Sequence, residues 1–176
     1  MPETINEIIK DANVYFEAIA SSHIQIRHTE EVPRFAIMGI EQLISMKWQL
    51  SLGGHYALIM EAFEGDLAGT NMDNAEAKMT GAFWVLGFAG REDYNAQRQA
   101  WENTHRIGSE IIARIAFDRE QLYHGDADPN QFVKAFDQSS VHFNKVGPVG
   151  DNYHGCRMEL TITHNNNLAY NPALWQ

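Results

Sequence analysis

The segment from Glu92 to Leu122 constrains the fold most, because it has the pattern of one long amphipathic helix. At 3.6 residues per turn, one face collects apolar or small residues, which is typical of a helix face in a protein core. These residues are Tyr94, Trp101, Thr104, Gly108, Ile111, Ile112, Ile115 and Leu122. The opposite face carries charges of alternating sign at four-residue spacing, which favours ion pairs along the helix. The charged residues are Arg98, Glu102, Arg106, Glu110, Arg114 and Asp118.

Three residues of this helix need a separate explanation. Gly108 lies among large apolar side chains, so we expect the helix to cross another backbone closely there. Ile107 falls beside the charged face, and Phe117 falls within it. Two explanations are open. Either the core face is wide and the last turn is irregular, or the outer face of the helix packs against another subunit.

Composition narrows the possible functions. A chain of 176 residues, of which 44% are hydrophobic and 20% charged, suits one globular domain. With 13 basic against 23 acidic residues, the net charge of −10 provides no basic surface for nonspecific DNA binding.

The sequence contains no apolar run of membrane-spanning length and begins without the pattern of a signal peptide, so we expect a cytoplasmic protein. Cys156 is the only cysteine, which excludes an internal disulfide and a cysteine-based zinc site.

The first half of the chain predicts one helix followed by strands. Thr4 to Glu7 has capping-box spacing, and an apolar face continues through about residue 19. His23 to His28 alternates like a short strand, and residues 34–52 suit a strand at both ends. Residues 56–63 and 81–89 are near-continuous apolar runs that we expect to pair as a hairpin in the middle of a sheet. Between them, residues 64–79 are polar and acidic, which predicts a long exposed loop.

The second half predicts two closing strands. Residues 131–136 fit either a short helix or a strand, and residues 140–146 fit a strand. Residues 147–152 form a loop, and residues 155–163 alternate strictly. In this last strand Cys156, Met158, Leu160 and Ile162 point to one side, and Arg157, Glu159, Thr161 and Thr163 to the other. The whole chain, residues 1–176, is expected to form a single α+β domain. A mostly antiparallel sheet would pack against the N-terminal helix and the long helix, and an extended tail would cover residues 165–176.

No convergent set of catalytic or metal-binding residues emerges from the sequence. The eight histidines are scattered and form no ligand pair at helical spacing. Asp126 to Asn130 begins like a calcium loop, but Pro129 and Gln131 occupy positions where that loop needs other residues. There is no nucleophile elbow and no phosphate-binding loop. We therefore expect a protein that is not an enzyme and that holds no cofactor or metal.

The order of elements resembles that of the small proteins that complete the neck or tail of tailed bacteriophages. Local stretches add to the resemblance: Gly65-Asp-Leu-Ala-Gly69, Gly81-Ala-Phe-Trp-Val85 and residues 146–162. The closest group is the tail terminator and head-to-tail joining proteins. The resemblance implies a virion protein, assembled in the host cytoplasm, that forms a ring of six or twelve copies. Such a ring contacts neck, portal or tail-tube proteins, and DNA passes through it without sequence-specific binding.

The ring hypothesis assigns roles to the unexplained residues. A ring subunit needs contacts on two different faces; the candidates are Ile107, Phe117, Leu174 and Trp175. The acidic loop would line the channel or dock a neighbour, through Glu64, Asp66, Asp73 and Glu76. The alternative explanation of the acidity is solubility alone.

Two other classes of function remain open. One is a small α/β domain that binds or hydrolyses a ligand, with a pocket between the long helix and the sheet of residues 56–63 and 81–89. The other is a component of a bacterial host-defence or secretion system with a similar shape.

Overall fold

The computed structural model describes residues 5–39, 42, 55–68, 76–124, 130–150 and 152–165. The described helices are α1 (Ile5–Ser22), α2 (Tyr94–His124) and α3 (Gln131–Ala135). The described strands are β1 (Phe35–Ile37), β2 (Ala57–Met60), β3 (Glu64–Ala68), β4 (Glu76–Phe88), β5 (Phe136–Val149) and β6 (Tyr153–Asn165). The chain is therefore α+β, as the sequence predicts.

The strands form one mostly antiparallel sheet. Its order is β1-β2-β4-β6-β5, and β3 pairs with the first part of β4. Strands β1 and β2 are parallel, whereas the other neighbours are antiparallel. The predicted hairpin is confirmed, because β2 pairs antiparallel with β4 between Ala57–Leu86 and Met60–Phe83. Strand β6 lies in the interior of the sheet, between β4 and β5.

The main core lies between one face of the sheet and the three helices. Helix α1 contributes Ile8, Ala12, Phe16 and Ile19 to this core, as its apolar spacing predicts. The alternation of β6 is also confirmed, since Cys156, Met158, Leu160 and Ile162 are all buried in the same core. A smaller apolar cluster of Ala57, Ile59, Trp84 and Leu86 lies on the other face of the sheet.

Helix α2 begins two residues later than predicted and ends two residues later. Asp93 precedes its first turn, where Asp93 Oδ1 accepts a hydrogen bond from the backbone N–H of Ala96 at 2.9 Å. Three pairs of the charged series are formed: Arg98–Glu102, Arg106–Glu110 and Arg114–Asp118. Asp118 also accepts a hydrogen bond from the Tyr15 hydroxyl at 2.7 Å, which ties α1 to α2.

The predicted strand at His23–His28 is wrong, because this segment is a turn that closes α1. The backbone N–H of Ile26 donates to the carbonyl of His23, and that of His28 donates to the carbonyl of Ala20, both at 3.0 Å. Ile26 is fully buried, whereas Ile24 is 74% exposed. A turn that buries one isoleucine and exposes the other produces the same alternating pattern as a half-buried strand.

The predicted loop at residues 64–79 is wrong at both ends. Glu64–Ala68 is β3, and β4 already begins at Glu76, with a register that runs from Glu64–Thr80 to Ala68–Glu76. This extension of the hairpin is held by backbone pairing, which does not require the alternation of apolar residues used to recognise strands. Residues 69–75 lie outside the described residues, as do 43–52 and the tail from 166 to 176.

Two further segments, at residues 131–136 and 34–52, can be compared with the predictions. Residues 131–135 are helical, which settles the choice left open by the sequence, and β1 confirms a strand at the beginning of residues 34–52. Within the described ranges, no helix combines the length and the apolar character needed to cross a membrane.

Candidate functional site

One row of apolar residues crosses the sheet on the face covered by the helices. The register joins Phe143 of β5 to Met158, Met158 to Phe83, Phe83 to Met60, and Met60 to Ile37 of β1. The three inner residues are at most 2% exposed, but Phe143 and Ile37 are 60% and 48% exposed. The row therefore ends in an exposed hydrophobic side chain at each edge of the sheet.

Strand β5 forms one of these edges along its whole length. It spans 14 residues and pairs with β6 on one side. No second strand neighbours it in the described part of the chain. An edge strand presents backbone donors and acceptors that another strand can pair with, so natural proteins usually shorten, twist or cover such edges. Register shifts at Asp137/His142 and Val146/Val149 interrupt the pairing with β6, and between them lies the regular stretch from His142 to Val146.

A groove of about 460 Å³ lies between this edge and α2. Trp101 forms part of its wall, and its indole N–H donates to the carbonyl of Val146 at 2.8 Å. Lys145 Nζ lies 3.1 Å from the centroid of the Trp101 ring, a close cation–π contact. The rings of His105 and Phe143 meet edge to face, with centroids 4.6 Å apart. The groove also includes Arg98, Glu102, Asn144, Gly155 and Cys156.

The titratable groups near the groove are poorly suited to covalent catalysis. Burial raises the pKa of the Cys156 thiol to about 11, so the reactive thiolate is scarce at neutral pH. Burial, together with the charge of Lys145, lowers the pKa of His154, whose ring packs edge to face on Trp101. His154 Nδ1 is buried without a hydrogen-bond partner. The chemistry of the groove therefore favours binding through aromatic and cationic groups.

A second cavity of about 380 Å³ lies on the other face of the sheet. Its polar wall is an ion-pair cluster in which Arg157 Nε and one terminal nitrogen contact the two carboxylate oxygens of Glu61 at 2.8 Å. The other terminal nitrogen contacts Glu159 at 2.6 Å, and the Trp84 indole donates to Glu61. Since these groups satisfy one another, we interpret the cluster as structural.

The four residues predicted to form subunit contacts have different outcomes. The assignment of Ile107 to a subunit contact is wrong, because its side chain is fully buried in the main core. Phe117 is 54% exposed, so its assignment to an interface stays a prediction. Leu174 and Trp175 lie outside the described residues. The buried stripe of α2 includes Thr104, as the sequence predicts, and also Gln97 and Ala100, whose polar and small side chains did not mark the core face in the sequence. Ile107 belongs to this stripe.

Three of the four acidic residues predicted to line a loop lie on strands instead. Glu64 and Asp66 are exposed on β3, and Glu76 is the exposed first residue of β4. Asp73 lies outside the described residues. The structure thus places three of the four carboxylates on a strand pair and leaves them accessible.

Sequence reasoning missed Phe143 and Ile37, which the structure makes the main exposed residues of the sheet edges. Periodicity identifies a strand but does not reveal whether that strand is central or at an edge. One signal was available, since Pro148 lies at the end of β5 and proline within a strand is typical of an edge.

In the described residues, no group of three or more histidine, cysteine, aspartate or glutamate side chains is arranged to hold a metal ion. The candidate site is therefore the β5 edge together with the groove beside α2, and the opposite edge at β1. No protein-family model, curated protein or solved structure matches the chain.

Proposed function

We propose that this chain is a non-enzymatic structural protein of a phage neck or tail that assembles into a ring. The observation that carries the proposal is the pair of exposed hydrophobic residues, Phe143 and Ile37, at opposite edges of one sheet. Contacts between two different edges are heterologous, and heterologous contacts generate a ring when the rotation between copies closes. A protein that leaves apolar groups at both edges is suited to such assembly.

The place in the virion is proposed from the layout of the chain. An antiparallel sheet covered by an N-terminal helix and one long helix resembles the tail terminator and head-to-tail joining proteins. The ring would terminate the tail or join it to the capsid, in contact with portal, neck or tail-tube proteins. It would assemble in the host cytoplasm and remain in the virion.

The charge of the chain is compatible with the passage of DNA. Each copy carries a net charge of −10, and Glu64, Asp66 and Glu76 are exposed. An acidic wall repels phosphates, so DNA would move through the ring without sequence-specific binding.

The first experiment measures the mass of the full chain in solution by light scattering and images it by negative-stain electron microscopy. We expect closed rings of six or twelve copies at micromolar concentration. Fluorescence anisotropy with duplex DNA at low salt should show no binding. A monomer at every concentration, or tight DNA binding, would contradict the proposal.

The groove beside α2 favours one alternative, a small ligand-binding or hydrolytic domain. It lies between the long helix and the sheet, although it adjoins β5 and β6, not the strands at 56–63 and 81–89 as expected from the sequence. Native mass spectrometry of the purified chain distinguishes the two functions. A monomer that retains a small molecule supports the alternative, and an empty chain in a ring supports assembly.

A further inference from the structure

We infer that the β1 edge of a second copy of this chain adds to β5 as an antiparallel strand, beside the mouth of the groove between α2 and β5. In this arrangement Ile37 of one copy lies against Phe143 of the next. The inference rests on the proposed function, because it specifies how the subunits of the ring join. Three features of the described residues carry it: strand direction, register and charge.

Strand direction comes first. Strands β1 and β2 run the same way, β4 runs opposite to them, β6 runs with them, and β5 runs opposite again. Strand β5 is therefore antiparallel to β1 within one copy. If a second copy continues the sheet with its helices on the same side, its β1 must pair antiparallel with β5. Such pairing is favourable and uses the side of each edge that has no neighbouring strand among the described residues.

Register is the second feature. Ile37 and Phe143 end the same row of the sheet, on the face covered by the helices. Continuing that row from one copy to the next brings these two exposed side chains together at the mouth of the groove. Of the side chains of β1 on this face, Phe35 is buried in its own core, so Ile37 is the one that would reach Phe143 and the neighbouring His105, as when a peptide joins a sheet edge beside a helix.

Charge is the third feature. The turn before β1 carries Glu30 and Glu31, both exposed. The groove carries Lys145 and Arg98, the latter 3.8 Å from Glu102 in an exposed pair. Lys145 belongs to the row that ends at Phe35, the first residue of β1, so the acidic turn and Lys145 lie toward the same end of the two edges. Opposite charges on two edges of one chain favour head-to-tail contact over contact between identical edges.

Cross-linking tests the arrangement directly. Within one copy three strands separate β1 from β5, so residues 37 and 143 are about 19 Å apart. A disulfide needs Cα atoms within about 7 Å, so a bond between these positions must join two copies. We expect the chain with both Ile37→Cys and Phe143→Cys to form a ladder of covalent oligomers on oxidation, which reduction returns to monomer. The single variants should form no ladder, and buried Cys156 is present in all chains.

Each other outcome has a defined meaning. A covalent dimer from Phe143→Cys alone would show that two β5 edges pair with each other, and would overturn the inference. Rings in the microscope without any ladder would also overturn it, while the proposed function would stand. A chain that forms no oligomer would overturn both.

Charge exchange provides a second readout that does not depend on cysteine chemistry. We expect Lys145→Glu to weaken association by about tenfold or more, because it sets like charges against Glu30 and Glu31. Adding Glu30→Lys and Glu31→Lys to the same chain should restore association. Ile24→Asp is the matched control, since Ile24 is exposed but lies outside both edges, and it should leave association unchanged. Failure of the exchange to restore association would contradict the proposed charge pairing.

Discussion

At the scale of single residues, Gly108 sets how closely α2 approaches the sheet. A Cβ at this position would lie 2.4 Å from Met158 Cε and 3.2 Å from Met158 Cγ. Gly108 is buried, and Met158 is 2% exposed in the main core. The nearest neighbour of Gly108 is therefore a side chain of β6, and not the second backbone expected from the sequence.

We predict that Gly108→Leu lowers the free energy of unfolding by about 1–3 kcal/mol, because the added side chain overpacks the contact with Met158. Gly108→Ala should cost less, since the gain in helix propensity of about 1 kcal/mol offsets part of the displacement of the methionine. Chemical denaturation measures the free energy of unfolding of both variants. The control is Ala113→Leu at an exposed position of α2, and equal stability of Gly108→Leu and this control would contradict the prediction.

Arg157 is the second residue whose contacts determine local stability. Its side chain is 21% exposed and pairs with Glu61, whose side chain is 15% exposed. Burial alone would raise the pKa of Glu61, but hydrogen bonds from Arg157 and Trp84 and the charge of Arg157 outweigh it. The net effect holds that pKa below its usual value. The pair therefore stabilises the folded chain above the unfolded pKa of Glu61, and this stabilisation is lost as the pH falls through the folded pKa.

We predict that Arg157→Met destabilises the chain at pH 7 toward the lower end of about 3–5 kcal/mol, because it leaves the Glu61 carboxylate without its partner. The difference from the unchanged chain should shrink as the pH falls through the lowered pKa of Glu61, because the carboxyl group is protonated in both chains below that pKa. Urea denaturation at a series of pH values measures this difference in the free energy of unfolding. Arg106→Met, which breaks an exposed pair, should cost no more than about 1 kcal/mol. A pH-independent difference would show that packing, not charge, is lost.

At the scale of elements, the sequence predicts those whose burial leaves a clear apolar pattern. Helices α1 and α2 and strand β6 follow from apolar spacing, because one face of each is buried, and strands β2 and β4 follow from apolar runs, because both of their faces are buried. Strand β3 was missed because its backbone pairs with β4 while Glu64 and Asp66 stay exposed. The turn at 23–28 was misread because alternation over six residues does not distinguish a strand from a turn with one buried isoleucine.

The candidate site was less predictable than the fold. Its residues come from α2, β5 and β1, which are distant in the sequence and meet only through the order of strands in the sheet or its continuation in a neighbour. The core face that the sequence predicts for α2 also differs from the buried face in the structure, because the prediction includes Tyr94 and Trp101. Tyr94 is 80% exposed, whereas Ile107 is buried. A large aromatic residue near the end of a helix indicates the core face poorly, since tertiary contacts decide its burial.

At the scale of the whole molecule, Phe117 provides a further exposed hydrophobic residue away from both sheet edges. It is 54% exposed on the outer side of α2. We predict that Phe117→Asp leaves the melting temperature unchanged, because the side chain contributes little to the core, but weakens assembly by exposing a charge at a contact. Sedimentation velocity measures the assembly and circular dichroism the melting. An unaltered oligomer would rule out Phe117 as a contact residue.

Pairing of β1 with β5 between copies, as proposed from the described strands, would have a consequence for how the protein must be handled. Edges that accept each other impose no upper limit on the number of copies, so only the angle between successive copies decides whether growth stops. A substitution that flattens this angle would convert a closed particle into an open fibre, a known hazard of long unprotected edge strands. Overproduced protein would then be lost as insoluble filaments, although each copy is correctly folded.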